Sequence, residues 1–408
     1  MSCTMPKPWI SSWVARLLAV SAGGTVALVG GAILFAWSGL YDIAASSGHW
    51  KIVEHFLEFG MRNSVKTNAL GAEAPNLNNP DLIRLGAGHF HRGCAFCHGA
   101  PDIPVNPIAA QMLPAPPDLV KSMRPWKEHE LFWIVKHGFK YTGMPGWVAI
   151  ERDDEIWAVA AFLKTLPTLD AEGYRDLALG DVRVGPRSGS DLATLESNPE
   201  AMSACARCHG AEGERPMSNL VPVLHGQPVD YLFGSLKAYA EGKRRSGIMQ
   251  PLAADLRDED MRNLAEYYAS LPPPQEQPKP ADAALIEAGR KLALEGMPHA
   301  GILPCVACHG SGAAAPRLAG QHGPYLAGQL RLWKSGNVPQ TTGAALMAPI
   351  ARSLSDEQIE TLAAYFATAA PNPEDATSPY RRGERFERHS LRQHLLREGL
   401  SRRDAPYP

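Results

Sequence analysis

The chain has no excess of charge of either sign. Its 408 residues carry a formal net charge of −2, which leaves no electrostatic footprint for a nucleic acid. It has almost no spare cysteine, since six of its seven cysteines fall in three copies of one pattern. It has no two C-x-x-C units close together in sequence, the arrangement a tetrahedral zinc site asks for. What it has in quantity is 35 prolines and 37 glycines. That composition suits small units with long loops around a cofactor better than a helical bundle, and the length allows two to four domains.

The three cysteine patterns are Cys94-Ala-Phe-Cys97-His98, Cys205-Ala-Arg-Cys208-His209 and Cys305-Val-Ala-Cys308-His309, each followed by glycine. Two thiols three positions apart share one face of a helical turn, so each can form a thioether to a porphyrin vinyl group. The adjacent histidine then turns its imidazole onto the iron. A thioredoxin-like dithiol does not require that histidine, and the pairs are about a hundred residues apart. The pattern predicts three covalently bound haem c groups, with His98, His209 and His309 as iron ligands. Such cysteine usage fits a compartment outside the cytoplasm, where haem is attached. The remaining Cys3 reads as a free thiol in a cytoplasmic tail.

Leu17 to Trp37 is an uninterrupted uncharged stretch, LLAVSAGGTVALVGGAILFAW. Its length matches the roughly 20 residues that cross a bilayer. Trp13 and Trp37 fall near its ends, as interfacial aromatics do, and Lys7 and Arg16 precede it, which keeps the N-terminus cytoplasmic. The run is longer than the core of a cleaved signal peptide, and no clean A-x-A site follows closely. Residues 1–40 are therefore expected to be a cytoplasmic tail and an uncleaved anchor. In residues 41–80, Trp50, Val53, Phe56, Leu57 and Met61 recur at roughly helical spacing, which predicts a juxtamembrane helix. His49 and His55 read as polar residues on its wet face.

Residues 81–169 hold the first pentad. Asp81 to His91 reads as a helix leading into it. A proline-rich loop, MLPAPPDL, follows, then helices near Glu128–His137 and Asp153–Leu166, the last stopped at Pro167. Between them runs Tyr141-Thr-Gly-Met144-Pro-Gly-Trp147. A low-spin haem takes a sixth ligand, and a thioether is a soft one that raises the reduction potential. Met144 is the favoured candidate because it lies in a Gly/Pro loop between helices; Met112 and Met123 compete.

These pieces carry a resemblance. GLYDIAAS, SVKTNA, CAFCHGAP, PPDL, LFWIVKHGFKYTGMPGW and DEIWAVAAFLKTLP make residues 39–169 similar to a family of membrane-anchored mono-haem cytochromes c. The resemblance implies that the methionine of Thr-Gly-Met-Pro, here Met144, is the axial ligand. The family usually has Met-Thr-Gly-Met where this chain has Tyr141-Thr-Gly-Met144.

Residues 170–199 contain GDVRVGPRSGSD and read as a linker. Beyond it the chain repeats itself. The pentad at 205 is followed by Pro222-Val-Leu-His-Gly-Gln227, Tyr231-Leu, Met249-Gln-Pro251 and DEDMRNLAEYYASLP. The pentad at 305 is followed by Pro316-Arg-Leu-Ala-Gly-Gln321, Tyr325-Leu, Met347-Ala-Pro349 and DEQIETLAAYFA. Units 200–273 and 281–371 are separated by residues 274–280, part of a proline-rich spacer. Together they resemble the tandem di-haem cytochromes c of the bacterial periplasm. That resemblance implies two haem domains facing each other about a pseudo-twofold axis, with Met249 and Met347 as axial ligands in loops. It also implies that Pro117, Pro222 and Pro316 offer carbonyls to the imidazoles of the pentads, fixing ring orientation and basicity. In the second unit Met202 and Met217 are alternative ligands, the lead-in helix looks shortened, and His225 reads as a loop residue. The tail, 372–408, is polar; from Arg381 it carries eight arginines against four acidic residues. It reads as a solvated tail, with an acidic partner or anionic lipid as the sharper alternative.

The expectation is a mainly α chain: three class I cytochrome c domains in tandem after one transmembrane helix. It would be held by the bacterial inner membrane with its haem domains in the periplasm. It would carry single electrons from a quinol-oxidising complex or dehydrogenase, with a terminal oxidase as the expected acceptor. A cytochrome subunit of a membrane-bound dehydrogenase is the near alternative. A haem peroxidase is the rival of another class, but it needs an open iron position, and each pentad has a methionine downstream. No catalytic residue is assigned.

Overall fold

The computed structural model describes residues 12–121, 125–180, 199–211, 214–274, 282–310 and 315–370. Cys3, Met123, residues 181–198 of the linker, residues 275–280 of the spacer and the tail from 371 fall outside the described residues, as does the side chain of Met202. Among the described residues the regular structure is helical. The extended pairings are the isolated bridges Ala100–Ile103 and Met297–Ile302.

Helix α1, Ser12–Ser38, is exposed along its length; Trp13–Ser38 is long and apolar enough to cross a membrane. Helix α2, Lys51–Asn68, leaves Ile52, Phe56 and Phe59 in solvent and buries Val65. Helix α3, Pro80–Gly93, starts because Asn79 accepts a hydrogen bond from Asp81 N–H (2.9 Å) and Pro80 takes the first turn. It stops one residue before Cys94, and a single turn, α4 (Ala95–His98), carries the pentad. Helices α5, Glu128–His137, and α6, Asp153–Thr165, follow. Asp153, Asp154 and Glu155 fill the first turn of α6, where acidic groups meet the positive end of the helix.

The core of this region forms where α3 crosses α6. Phe90 packs on Phe162 with centroids 5.2 Å apart, and Phe132 stacks on Trp157 at 4.2 Å. The crossing is close because Gly86 has no side chain: a Cβ there would lie 2.0 Å from the Ala158 carbonyl oxygen. Residues 170–180 differ from the linker reading. They form helix α7, Ala171–Leu179, capped by Asp170 and followed by Gly180 at positive φ. Tyr174 and Ala178 are buried in the same cluster. The apolar spacing of Tyr174, Leu177 and Ala178 makes one amphipathic face, too short for a periodic signal to stand out.

The second segment has α8, Pro199–His209, running unbroken into its pentad, then α9, Val229–Ala240, α10, Met249–Ala254, and α11, Asp258–Ser270. The third has α12, Ala283–Glu295, α13, Val306–His309, α14, Gly323–Lys334, α15, Thr342–Ser353, and α16, Asp356–Thr368. Here Gly289 of α12 meets α16 as Gly86 meets α6, with its absent Cβ 2.0 Å from the Thr361 carbonyl oxygen. Met347 is not in a loop. It lies inside α15, which Thr341 caps and which runs through Pro349. The sequence TGAALMA is rich in strong helix formers, and a proline eight positions in removes one backbone donor without ending the helix.

Candidate functional site

Each pentad histidine is held the same way. His98 Nδ1 lies 3.0 Å from the Pro117 carbonyl oxygen, His209 Nδ1 3.0 Å from that of Pro222, and His309 Nδ1 2.8 Å from that of Pro316. A carbonyl can only accept, so Nδ1 carries the proton and Nε2 keeps its lone pair free for a metal. Burial favours the neutral ring further. It lowers the pKa of all three, that of His209 to about 4, against the pull of the proline carbonyls.

The cysteines beside them are half-buried, except Cys308, which is exposed. Desolvation pushes the Cys94 thiol up to about 12 and Cys205 up to about 11, and raises Cys208 and Cys305. Such sites disfavour a thiolate and suit an uncharged sulfur, as in a thioether. No group of three or more His, Cys, Asp or Glu among the described residues could hold a metal ion by itself. A zinc–thiolate reading therefore has no donor set there.

The second and third pentads open onto one cavity of 2220 Å³. Its walls include His209 and His309, all four neighbouring cysteines, Met249 and Met347. Two half-buried donors on that wall, Arg244 and Trp333, suit acidic oxygens on an occupant. Arg244 donates to neutral oxygens, among them those of Ser235 (3.2 Å), Gln329 (3.3 Å) and Tyr325 (3.4 Å), and lies 4.8 Å over the Tyr239 ring. Trp333 Nε1 has no hydrogen-bond partner among the described residues. Large, apolar and marked by donors, the lining fits haem with its propionates.

Two glutamines join the halves. Gln227 donates to the Arg317 carbonyl (2.9 Å) and accepts from Arg317 N–H (2.8 Å). Gln321 donates to the Val223 carbonyl (3.0 Å) and accepts from Val223 N–H (2.8 Å). Each amide thus grips the residue after the other half's proline. The sequence places both glutamines five positions beyond their prolines, a repeat signal to which no role attached. Arg244 has no such signal, since the third segment offers no counterpart in the repeated motifs.

At the first pentad, Met144 N–H donates to Thr142 Oγ1 (3.0 Å), and the Met144 carbonyl accepts from Phe139 N–H (3.2 Å). Met112 is brought beside this loop, its Sδ 2.5 Å from where a Cβ on Gly143 would stand. Met217 points elsewhere: its Sδ lies 3.3 Å from the Cβ position of Gly88 in α3. His225 is buried in a loop and donates from Nε2 to the Ala211 carbonyl (2.8 Å). His49 and His55 are exposed, one bonded to Tyr41 and the other to the Lys51 carbonyl.

Residues 81–163 and 304–366 match the family described as cytochrome c oxidase, cbb3-type, subunit III, and residues 200–272 match cytochrome c. A thiosulfate dehydrogenase electron acceptor of Stutzerimonas stutzeri is 39% identical over 176 residues, 42% of this chain and 81% of that protein. The chain belongs to the cytochrome c family. Cytochrome c4 of Pseudomonas aeruginosa is 33% identical to this cytochrome over 169 residues, 40% of this chain and 82% of that protein. A solved cytochrome c4 of Acidithiobacillus ferrooxidans is 31% identical, with a TM-score of 0.36, over 40% of this chain and 97% of that one. This cytochrome is an electron-transfer protein related to cytochrome c4, and its family carries covalently bound haem c.

Proposed function

We propose that this cytochrome is a membrane-anchored tri-haem relay that accepts single electrons from a periplasmic dehydrogenase or quinol-oxidising complex and delivers them to a terminal oxidase. The observation that carries the reading is the threefold occurrence of one device: a C-x-x-C-H pentad whose histidine is oriented by a proline carbonyl. When bound, haem c supplies an iron that cycles by one electron. The chain supplies the rest. Cys94 with Cys97, Cys205 with Cys208, and Cys305 with Cys308 would hold three haems by thioethers. His98, His209 and His309 would offer Nε2 to the irons from one side, and Met144, Met249 and Met347 a thioether from the other. Two relatives bear on the partners. One is named as the electron acceptor of thiosulfate dehydrogenase, and the family matched at residues 81–163 and 304–366 is described as an oxidase subunit.

The intact protein should carry three haems that resist acid–acetone extraction, because thioethers are covalent. Its mass should show three haem additions, and Cys205→Ala should leave one haem loosely attached. A wild-type mass with two haems removes the tri-haem reading.

The exposed α1 and the apolar face of α2 support anchoring at a single-pass helix. Replacing residues 1–40 by a cleavable signal should release a soluble periplasmic cytochrome with the visible spectrum of the intact protein. Recovery of the intact protein in the soluble fraction after simple lysis means that Leu17–Trp37 is a cleaved signal instead.

A further inference from the structure

The segment that carries Met144 and the one that carries Met249 meet at a single buried carboxylate. Glu155, in the first turn of α6, is 3% exposed. Its Oε1 accepts from Ser246 Oγ at 2.5 Å and pairs with Arg152 Nη1 at 2.8 Å. Its Oε2 accepts from Gly247 N–H at 2.6 Å and from Trp147 Nε1 at 3.2 Å. Ser246 in turn accepts from the backbone N–H of Ile248 (3.2 Å) and of Met249 (3.0 Å). A continuous chain therefore runs from Met249 N–H through the Ser246 hydroxyl to Glu155. The turn is pressed from the same side by Trp147. A Cβ on Gly247 would lie 2.1 Å from the indole Nε1, so only glycine lets the two segments close. Arg152 completes the junction by donating to the Arg245 carbonyl (3.0 Å). Both Arg152 and Glu155 stand on the wall of the cavity that Met249 lines.

We infer that Glu155 is a positioning residue for the neighbouring segment: it fixes the Ser246–Met249 turn, so that ligation at the second pentad depends on docking of the first. The inference rests on the assignment of Met249 as an axial ligand. It assigns to the first segment a task beyond holding its own haem. A buried carboxylate with four donors around it is not replaced by water without loss, and hydrogen bonds to a charged acceptor are the stronger kind. Burial holds the carboxyl above its usual range, with Arg152 pulling the other way. What the geometry requires at this point is an acceptor, because Ser246, Gly247 and Trp147 all present hydrogen.

The test uses the full-length protein in detergent, with a redox titration resolved into three components and the near-red sulfur-to-iron charge-transfer band. Glu155→Ala should shift one midpoint potential and remove one haem's contribution to the band, leaving the other two components in place. Glu155→Gln keeps an acceptor oxygen and should keep the band, with that midpoint raised by loss of a negative charge. Should Glu155→Ala fail to accumulate, Ser246→Ala leaves the carboxylate intact and should disturb the same component. In a Met249→His background, Glu155→Ala should take nothing further from the band, since the interaction is then already lost. Glu155→Ala or Ser246→Ala with three unchanged potentials and an unchanged band overturns the positioning role. An unchanged band in Met249→His alone overturns instead the ligand assignment beneath it.

Discussion

If Met249 is the axial ligand proposed above, replacing it by histidine should lower the midpoint potential of one haem and leave the others nearly where they were. Thioether sulfur is a soft ligand that favours the ferrous state, whereas imidazole nitrogen stabilises the ferric state better. Axial identity and surroundings together span about 0.8 V across haem proteins, so the shift is expected to be plain in a redox titration. The change is local because the substituted side chain belongs to one short helix, at its first residue. Met249 and Met347 line the same cavity but on different helices, α10 and α15. The near-red band loses the contribution of one haem. An unchanged band and potential would point to another sulfur. Met217 is the nearest rival in sequence, yet its side chain is turned to Gly88 and is not part of the cavity wall.

The largest loss of stability is expected from alanine at Gly86 or Gly289. Each sits where two helices cross, and in each case the new Cβ would be 2.0 Å from a backbone carbonyl oxygen. A flexible side chain could swing aside, but a helix backbone has to move bodily. Overpacking of this kind destabilises by about 1–3 kcal/mol and occasionally more; a backbone clash belongs at the upper end. The helix propensity of alanine returns only about 1 kcal/mol. Thermal unfolding followed by circular dichroism should show a clear drop for Gly86→Ala and Gly289→Ala. Gly60→Ala is the control: nothing lies within 4 Å of its Cβ position, so no loss is expected. Equal melting of all three variants would mean that the crossings are looser than described.

The C-x-x-C-H pattern was legible because it is local. A thioether pair and its histidine occupy five consecutive residues, so spacing alone carries their geometry. The helices of residues 128–137 and 153–165 were legible from period and stops. What was not legible depends on contacts between distant residues. Gly86 is one of 37 glycines until α6 is laid across it. Glu155 reads as one of three acidic residues favouring a helix start, and only the docked second segment buries it. Residues 170–180 read as linker because an amphipathic helix of nine residues is outweighed by the GDVRVGPRSGSD that follows. Met347 read as a loop residue because a nearby proline suggests a break, and α15 carries Pro349 within it instead.

The paired grip of Gln227 and Gln321 is the same contact made twice, once in each direction. A contact of that symmetry cannot tell its own second half from that of another molecule. In the sequence the two halves are joined by the proline-rich residues 274–280. Two molecules that open at this seam can therefore close again with their halves exchanged. In such an exchanged pair the hydrogen bonds of the grip would be remade between molecules. Absorbance and potential would be those of the single molecule, and only the doubled mass would distinguish the two.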